Sequence, residues 1–152
     1  MSKMLFCNNR RVSKYETVWD KYSNELAYFN AFERNKKKPV WFHNQNEKAA
    51  FFNKKKATYL IDILWNTCRA ACCIFIFRYQ EKEISYEEMM RKIRQAYYDL
   101  YMKYYSSGLT EGYENIALYA SLDEEVMLDM LIKWHNEELE KINREPDFLE
   151  EN

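Results

Sequence analysis

The chain has 152 residues, of which 47% are hydrophobic and 17% aromatic, and its formal net charge is −1. A chain of this length forms one domain with a buried core. Its two glycines exclude a glycine-rich phosphate loop or a dinucleotide fingerprint, because those motifs place several glycines in one turn.

Four residues divide the chain into long uninterrupted segments. Pro39, Gly108, Gly112 and Pro146 are its only prolines and glycines, and these residue types are the strongest breakers of regular structure. The sequence therefore predicts an all-α fold in a single domain spanning 1–152. We expect a four-helix up-down bundle with one or two short extra helices.

The first two predicted helices are long. Ser13 followed by Glu16 forms a capping-box pattern, which predicts a helix over about 13–35. The second helix is predicted over 46–80. Its C-terminal half is apolar nearly all round, which is typical of a helix surrounded by others.

Two further capping-box patterns predict helices over about 85–107 and 121–144. The patterns are Ser85 with Glu88 and Ser121 with Glu124. Gly108 is predicted to cap the third helix in a left-handed conformation. A short helix is expected between the two, and the ends 1–12 and 146–152 are expected to be flexible.

Charge is distributed unequally along the chain. Residues 1–56 carry 13 Lys and Arg against 5 Asp and Glu, whereas residues 57–152 carry 10 against 19. The two halves either attract each other or present charged surfaces to partners. Lysine clusters interleaved with aromatic residues favour nucleic-acid binding as one alternative function. Its footprint would be Arg10, Arg11, Lys36, Lys37, Lys38, Lys54, Lys55 and Lys56.

Asp62, Asn66 and Arg69 form a polar line in the second helix, because their spacing places them on one face. They predict either an internal network that sets the helix register or, as a second alternative function, the lining of a small-ligand cavity. The segment around them is long enough to span a bilayer. Charged groups near its centre would be costly in lipid, so no membrane contact is expected.

The residues that usually carry chemistry do not form a catalytic or metal-binding pattern. Neither His43 nor His135 has a Glu three residues before it, so no dimetal bundle site is predicted. We expect no cofactor, no metal and no catalytic residue. No signal peptide is recognisable, and the cysteines are predicted to be reduced core residues of a cytoplasmic protein. They are Cys7, Cys68, Cys72 and Cys73.

Tyr98, Tyr101 and Tyr105 form a second stripe beside the main apolar stripe of the third helix. They either broaden the core face or form an interface, where tyrosine is enriched. Glu137 and Glu138 of the acidic last helix are further interaction candidates.

The expected function is therefore a non-enzymatic protein-binding module. The Lys, Asn, Tyr, Ile and Phe bias is typical of an AT-rich genome and favours a phage, viral or mobile-element accessory factor that inhibits or regulates a host complex. A homodimer that buries Tyr98 and Tyr101 is an alternative assembly.

Overall fold

The computed structural model describes the backbone of residues 10–35 and 46–144, and the side chains of residues 16–31 and 56–144. These residues are helical apart from short turns, so the predicted all-α class is confirmed and the chain forms a helical bundle. The elements are α1 (Arg10–Asn35), α2 (Asn46–Gln80), α3 (Tyr86–Ser106), a 3-10 turn (Thr110–Gly112), α4 (Tyr113–Ala120) and α5 (Glu124–Arg144).

The four long helices begin and end within three residues of their predicted bounds. Residues 10–12, which were expected to precede the first helix, form its first turn. The predicted flexible tail 146–152 and the connector around Pro39 and His43 lie outside the described residues.

Helix α2 is the central element and packs against α1, α3 and α5. Side-chain contacts fix the direction of α1. The hydroxyl of Thr67 lies 3.4 Å from the carbonyl oxygen of Tyr22, and the ring centroids of Phe29 and Tyr59 are 5.6 Å apart. Residue numbers rise on α1 while they fall on α2, so these two helices are antiparallel.

Helix α3 is also antiparallel to α2. The thiol of Cys68 lies 3.7 Å from the carbonyl oxygen of Ala96, and the hydroxyl of Tyr104 donates to the carbonyl oxygen of Ile61 at 2.8 Å. Helices α1 and α3 therefore run parallel to each other on two sides of α2.

The last long helix does not continue the alternation. At its start, Glu124 accepts a hydrogen bond from Tyr86, the first residue of α3, and near its end Glu138 accepts one from Tyr22 of α1. Helix α5 thus runs in the same sense as α1 and α3. The short α4 makes the return, so the regular up-down order predicted for four long helices holds only for the first three.

The core is a single cluster of buried side chains centred on α2. The main apolar stripe of α3 is predicted to contain Tyr86, Met89, Met90, Ile93, Tyr97, Leu100 and Tyr104. All of them are buried except Tyr86, which is exposed at the start of the helix. The largest side chains with almost no exposed surface are Val18, Cys72, Cys73, Met89, Ile93, Tyr104, Leu131 and His135.

At one of the three predicted capping boxes the serine caps its helix as expected. Ser85 precedes α3, and its hydroxyl oxygen accepts the backbone N–H of Glu88 at 3.0 Å. Ser13 lies inside α1, because the helix begins three residues earlier. Ser121 belongs to the preceding turn, where its hydroxyl donates to the carbonyl oxygen of Leu118 at 2.9 Å.

The connection between α3 and α4 requires both glycines. Gly108 has φ +74°, which confirms the predicted left-handed cap. Gly112 is required for a different reason. A Cβ at this position would lie less than 3 Å from the ring of Tyr104. The turn can therefore approach the buried end of α3 only through glycine.

Candidate protein-interaction site

Three residues of α3, Tyr98, Tyr101 and Tyr105, make up the tyrosine face. Their exposed fractions are 58%, 40% and 63%, whereas Tyr97 and Tyr104 on the same helix are buried. Successive helical residues are separated by about 100°, so an offset of one position moves a ring from the core to the solvent. The alternative that these rings broaden the core is wrong, and an interface remains a prediction.

A groove of about 310 Å³ opens beside the tyrosine face. Tyr98 and Tyr101 line its α3 side, and Ile116 and Ala120 of α4 line the other. The ring centroids of Tyr101 and Tyr113 are 4.6 Å apart, so ring packing holds α4 against α3 at this position. The apolar lining suits an aliphatic side chain.

Glu124 lies at one end of this groove. Its carboxylate accepts a hydrogen bond from the hydroxyl of Tyr86 at 2.8 Å and forms an ion pair with Arg94. Exposed pairs of this kind contribute little to stability. The pairing instead neutralises Arg94, a cation of α3 that lines the groove beside the tyrosine face.

The three residues of the predicted polar line of α2 lie in different environments. Asp62 is exposed, whereas Asn66 and Arg69 are partly buried and hydrogen-bond to each other. The guanidinium carbon of Arg69 lies 4.3 Å from the ring centroid of Trp134 and 5.3 Å from that of Trp65. Arg69 therefore links α2 to α5 through indole rings. The grooves described for this structure are lined by other residues.

A buried hydrogen bond joins α1 to α5. The hydroxyl of Tyr22 donates to Oε1 of Glu138 at 2.5 Å, and Nζ of Lys141 lies 3.3 Å from Oε2. Glu138 was predicted to face a partner, but it is 7% exposed, whereas the adjacent Glu137 is exposed. Burial and the hydrogen bond to Glu138 raise the pKa of Tyr22 well above its ordinary value.

Tyr22→Phe is expected to lower the free energy of unfolding by about 2 kcal/mol, because it removes a hydrogen bond to a buried carboxylate. Tyr97→Phe is the matched control, because it also removes a hydroxyl group from a buried tyrosine, but the oxygen of Tyr97 has no hydrogen-bond partner. It is expected to be neutral or slightly stabilising. Urea denaturation of both variants measures the difference, and equal losses would contradict the assigned role of Glu138.

The described thiols are suited to packing rather than to chemistry. Cys68, Cys72 and Cys73 are buried and form no disulfide. A hydrogen bond with Cys68 and burial raise the pKa of the Cys72 thiol, and burial raises the pKa of Cys73. Such thiols are poor nucleophiles. Within residues 16–31 and 56–144, no three His, Cys, Asp or Glu side chains cluster as metal ligands would.

The proposed nucleic-acid footprint falls almost entirely outside the described side chains. Lys56, its one described member, is partly buried. The others are Arg10 and Arg11 in α1, Lys54 and Lys55 in α2, and Lys36, Lys37 and Lys38 in the connector. The footprint remains a prediction.

Part of α2 is long and apolar enough to cross a membrane by length and composition alone. This part is Lys56–Gln80, and 56% of its apolar window is buried inside the bundle. Because the central helix of a soluble bundle meets the same criteria, the segment is weak evidence for a membrane span.

No protein-family model matches the chain, and neither a curated protein nor a solved structure is significantly similar to it. Any function therefore has to be inferred from the side chains themselves.

Proposed function

We propose that the chain is a non-enzymatic module that binds another protein through the tyrosine face. The observation that carries this proposal is the exposure of Tyr98, Tyr101 and Tyr105, while the neighbouring rings of Tyr97 and Tyr104 on the same helix are buried. Tyrosine is among the residues most enriched at binding hot spots, since a rigid ring offers apolar area together with a polar group.

The groove beside the face supplies a place for an anchoring side chain. Its volume of about 310 Å³ is sufficient for a few aliphatic groups, and Met90, Ile116 and Met127 contribute to its apolar lining. Interfaces of this kind gain most of their affinity from a side chain that fills a desolvated pocket. A leucine, isoleucine or methionine of the partner fits this description.

The charge around the tyrosine face favours a basic partner. Between Tyr104 and Ile132 the chain has no Lys or Arg, and six acidic residues. The six are Glu111, Glu114, Asp123, Glu124, Glu125 and Asp129. A partner segment with Lys or Arg beside its apolar anchor would complement this surface and could place cations over the tyrosine rings. Nucleic-acid phosphates would be repelled here.

Replacing Tyr98 and Tyr105 together by serine is expected to reduce capture of the protein partner about tenfold or more, because two exposed anchor rings are lost while the core is untouched. The measurement is affinity capture from the native lysate, with and without nuclease, quantified by mass spectrometry. Tyr28→Ser is the matched control, since Tyr28 is 77% exposed on α1, away from the face.

A partner that survives nuclease and is lost only in the double variant supports the proposal. Equal capture by the wild type and the double variant argues against the tyrosine face. Recovery that depends on nucleic acid would transfer the function to the basic footprint.

A further inference from the structure

An apolar groove of about 530 Å³ runs between α1 and α3, with α2 beneath it. We call it the α1–α3 groove. It lies on the side of α2 opposite to α5, because Arg69 and Cys73 contact α5 whereas Leu64, Cys68 and Ala71 line the groove. Three of the four α2 side chains at its base, Thr67, Cys68 and Ala71, are short, so another helix could approach α2 closely.

The lining of the groove itself is nearly neutral, since its charged members are Asp99 and Lys103 of α3. Opposite charges lie further towards the N-termini of the two helices that border it, at the same height. Tyr22 and Ala96 mark one level, since they contact the adjacent residues Thr67 and Cys68 of α2. Because α1 and α3 are parallel, their N-terminal parts extend from this level in the same direction.

On α1, Glu16 and Asp20 lie about 9 and 3 Å from this level at 1.5 Å per residue. On α3, Arg91 and Lys92 lie about 7.5 and 6 Å from it in the same direction. Arg91 and Lys92 also line a smaller groove of about 240 Å³ that shares Ala96 and Asp99 with the larger one. The acidic pair of α1 therefore lies across the groove from the basic pair of α3.

Each charged pair remains available to a partner. Arg91 and Lys92 both form ion pairs with Glu88, at 3.6 and 4.0 Å, and Asp99 lines the same small groove. Burial raises the pKa of Glu16 and of Asp20, and Asp20 adds to the shift of Glu16. A cation from another molecule would relieve both effects.

We propose that a second copy of this chain docks on the α1–α3 groove, related by a two-fold axis parallel to the helices. This symmetry places α1 of one copy over α3 of the other, because the axis exchanges the two sides of the groove. Glu16 and Asp20 of each copy then meet Arg91 and Lys92 of the other, so the attraction occurs twice.

The apolar contacts follow the same geometry. Met102 stands at the edge of the groove with 39% of its surface exposed, about 9 Å beyond the level of Ala96. Leu26 of α1, on the opposite side of the groove, lies about 6 Å beyond the level of Tyr22 in the same direction. In the dimer, Met102 of one copy packs near Leu26 of the other and covers the apolar base.

A second copy complements the charges on both sides of the groove better than a partner that carries charge of only one sign. A uniformly basic or acidic helix would be repelled by one side of the groove, whereas the two-fold copy complements both. The tyrosine face lies on the other side of α3 and stays accessible, so this dimer does not depend on the proposed function.

Charge reversal tests the dimer by sedimentation over a concentration series. The wild type is expected to reach twice the chain mass of 18.7 kDa. The pair Glu16→Lys with Asp20→Lys, and separately the pair Arg91→Glu with Lys92→Glu, are expected to sediment as monomers. An equimolar mixture of the two variants is expected to form a heterodimer, because one has two basic sides and the other two acidic sides.

Circular dichroism verifies that each variant is helical, and Met102→Glu provides a test that leaves the charged pairs intact. It too is expected to be monomeric. A monomeric wild type, a mixture that stays monomeric, or a dimer that survives Met102→Glu would overturn the proposal. Loss of the dimer in the Tyr98→Ser, Tyr105→Ser variant would also overturn it, by placing the interface on the tyrosine face.

Discussion

Gly112→Ala is expected to lower the free energy of unfolding by about 3 kcal/mol, near the upper end of the usual range for overpacking a core. The new Cβ would lie less than 3 Å from the ring of Tyr104. That ring cannot move aside easily, because it is buried and its hydroxyl donates to the carbonyl oxygen of Ile61 at 2.8 Å. Urea denaturation followed by far-ultraviolet circular dichroism measures the loss.

Gly108→Ala is the matched control in the same connection. A Cβ at Gly108 meets no atom within 4 Å, so the substitution introduces only the strain of a left-handed φ. We expect a loss of about 1 kcal/mol. A larger loss at Gly108 than at Gly112 would show that backbone conformation, rather than the approach to Tyr104, limits this turn.

Stability is expected to fall steeply once the pH exceeds about 10, the ordinary pKa of tyrosine. Burial raises the pKa of Tyr22, Tyr97 and Tyr104 in the folded state. Above pH 10 the unfolded chain releases these three protons while the folded chain keeps them. The unfolded state then binds fewer protons, so unfolding becomes more favourable as the pH rises.

The size of the alkaline effect follows from proton counting. Each tyrosine contributes up to about 1.4 kcal/mol per pH unit, and the three together about 4 kcal/mol per unit. Below the unfolded pKa this contribution is fully present, so stability is unaffected near neutrality.

Tyr97→Phe should reduce the slope by up to about 1.4 kcal/mol per pH unit, the contribution of one group, without loss of stability at pH 7. Urea titrations at a series of pH values measure the slope. An unchanged slope in Tyr97→Phe would show that this hydroxyl does not control the transition.

The helices could be predicted from the sequence because local signals define them. The rare glycines and prolines mark the breaks, and Ser85 with Glu88 forms the cap that its spacing indicates. The offset of Tyr98 and Tyr105 from the core stripe is also a local property of one helix. Periodicity alone left open whether a second stripe is buried, since that depends on which helices pack alongside.

Contacts between distant segments could not be predicted in the same way. Glu138 lies in a helix rich in acidic residues and reads as part of a solvated face, yet it pairs with Tyr22, which is 116 residues away. Arg69 was recognised as polar in an apolar helix, but its indole neighbours come from two different helices. The sense of α5 was missed for a related reason, because the short α4 could not be identified as the returning segment.

The packing of α1 and α5 on α2 lowers the entropy cost of forming the hydrogen bond between Tyr22 and Glu138. In isolation, joining two residues 116 positions apart would close a loop containing most of the molecule. Here α1 and α5 each pack on α2, so that helix brings both partners together before they meet. The contacts of α1 and α5 with α2 already hold the two residues close together. Most of the entropy cost of the long loop is therefore borne by the pairing of neighbouring helices, and the hydrogen bond itself adds little to it.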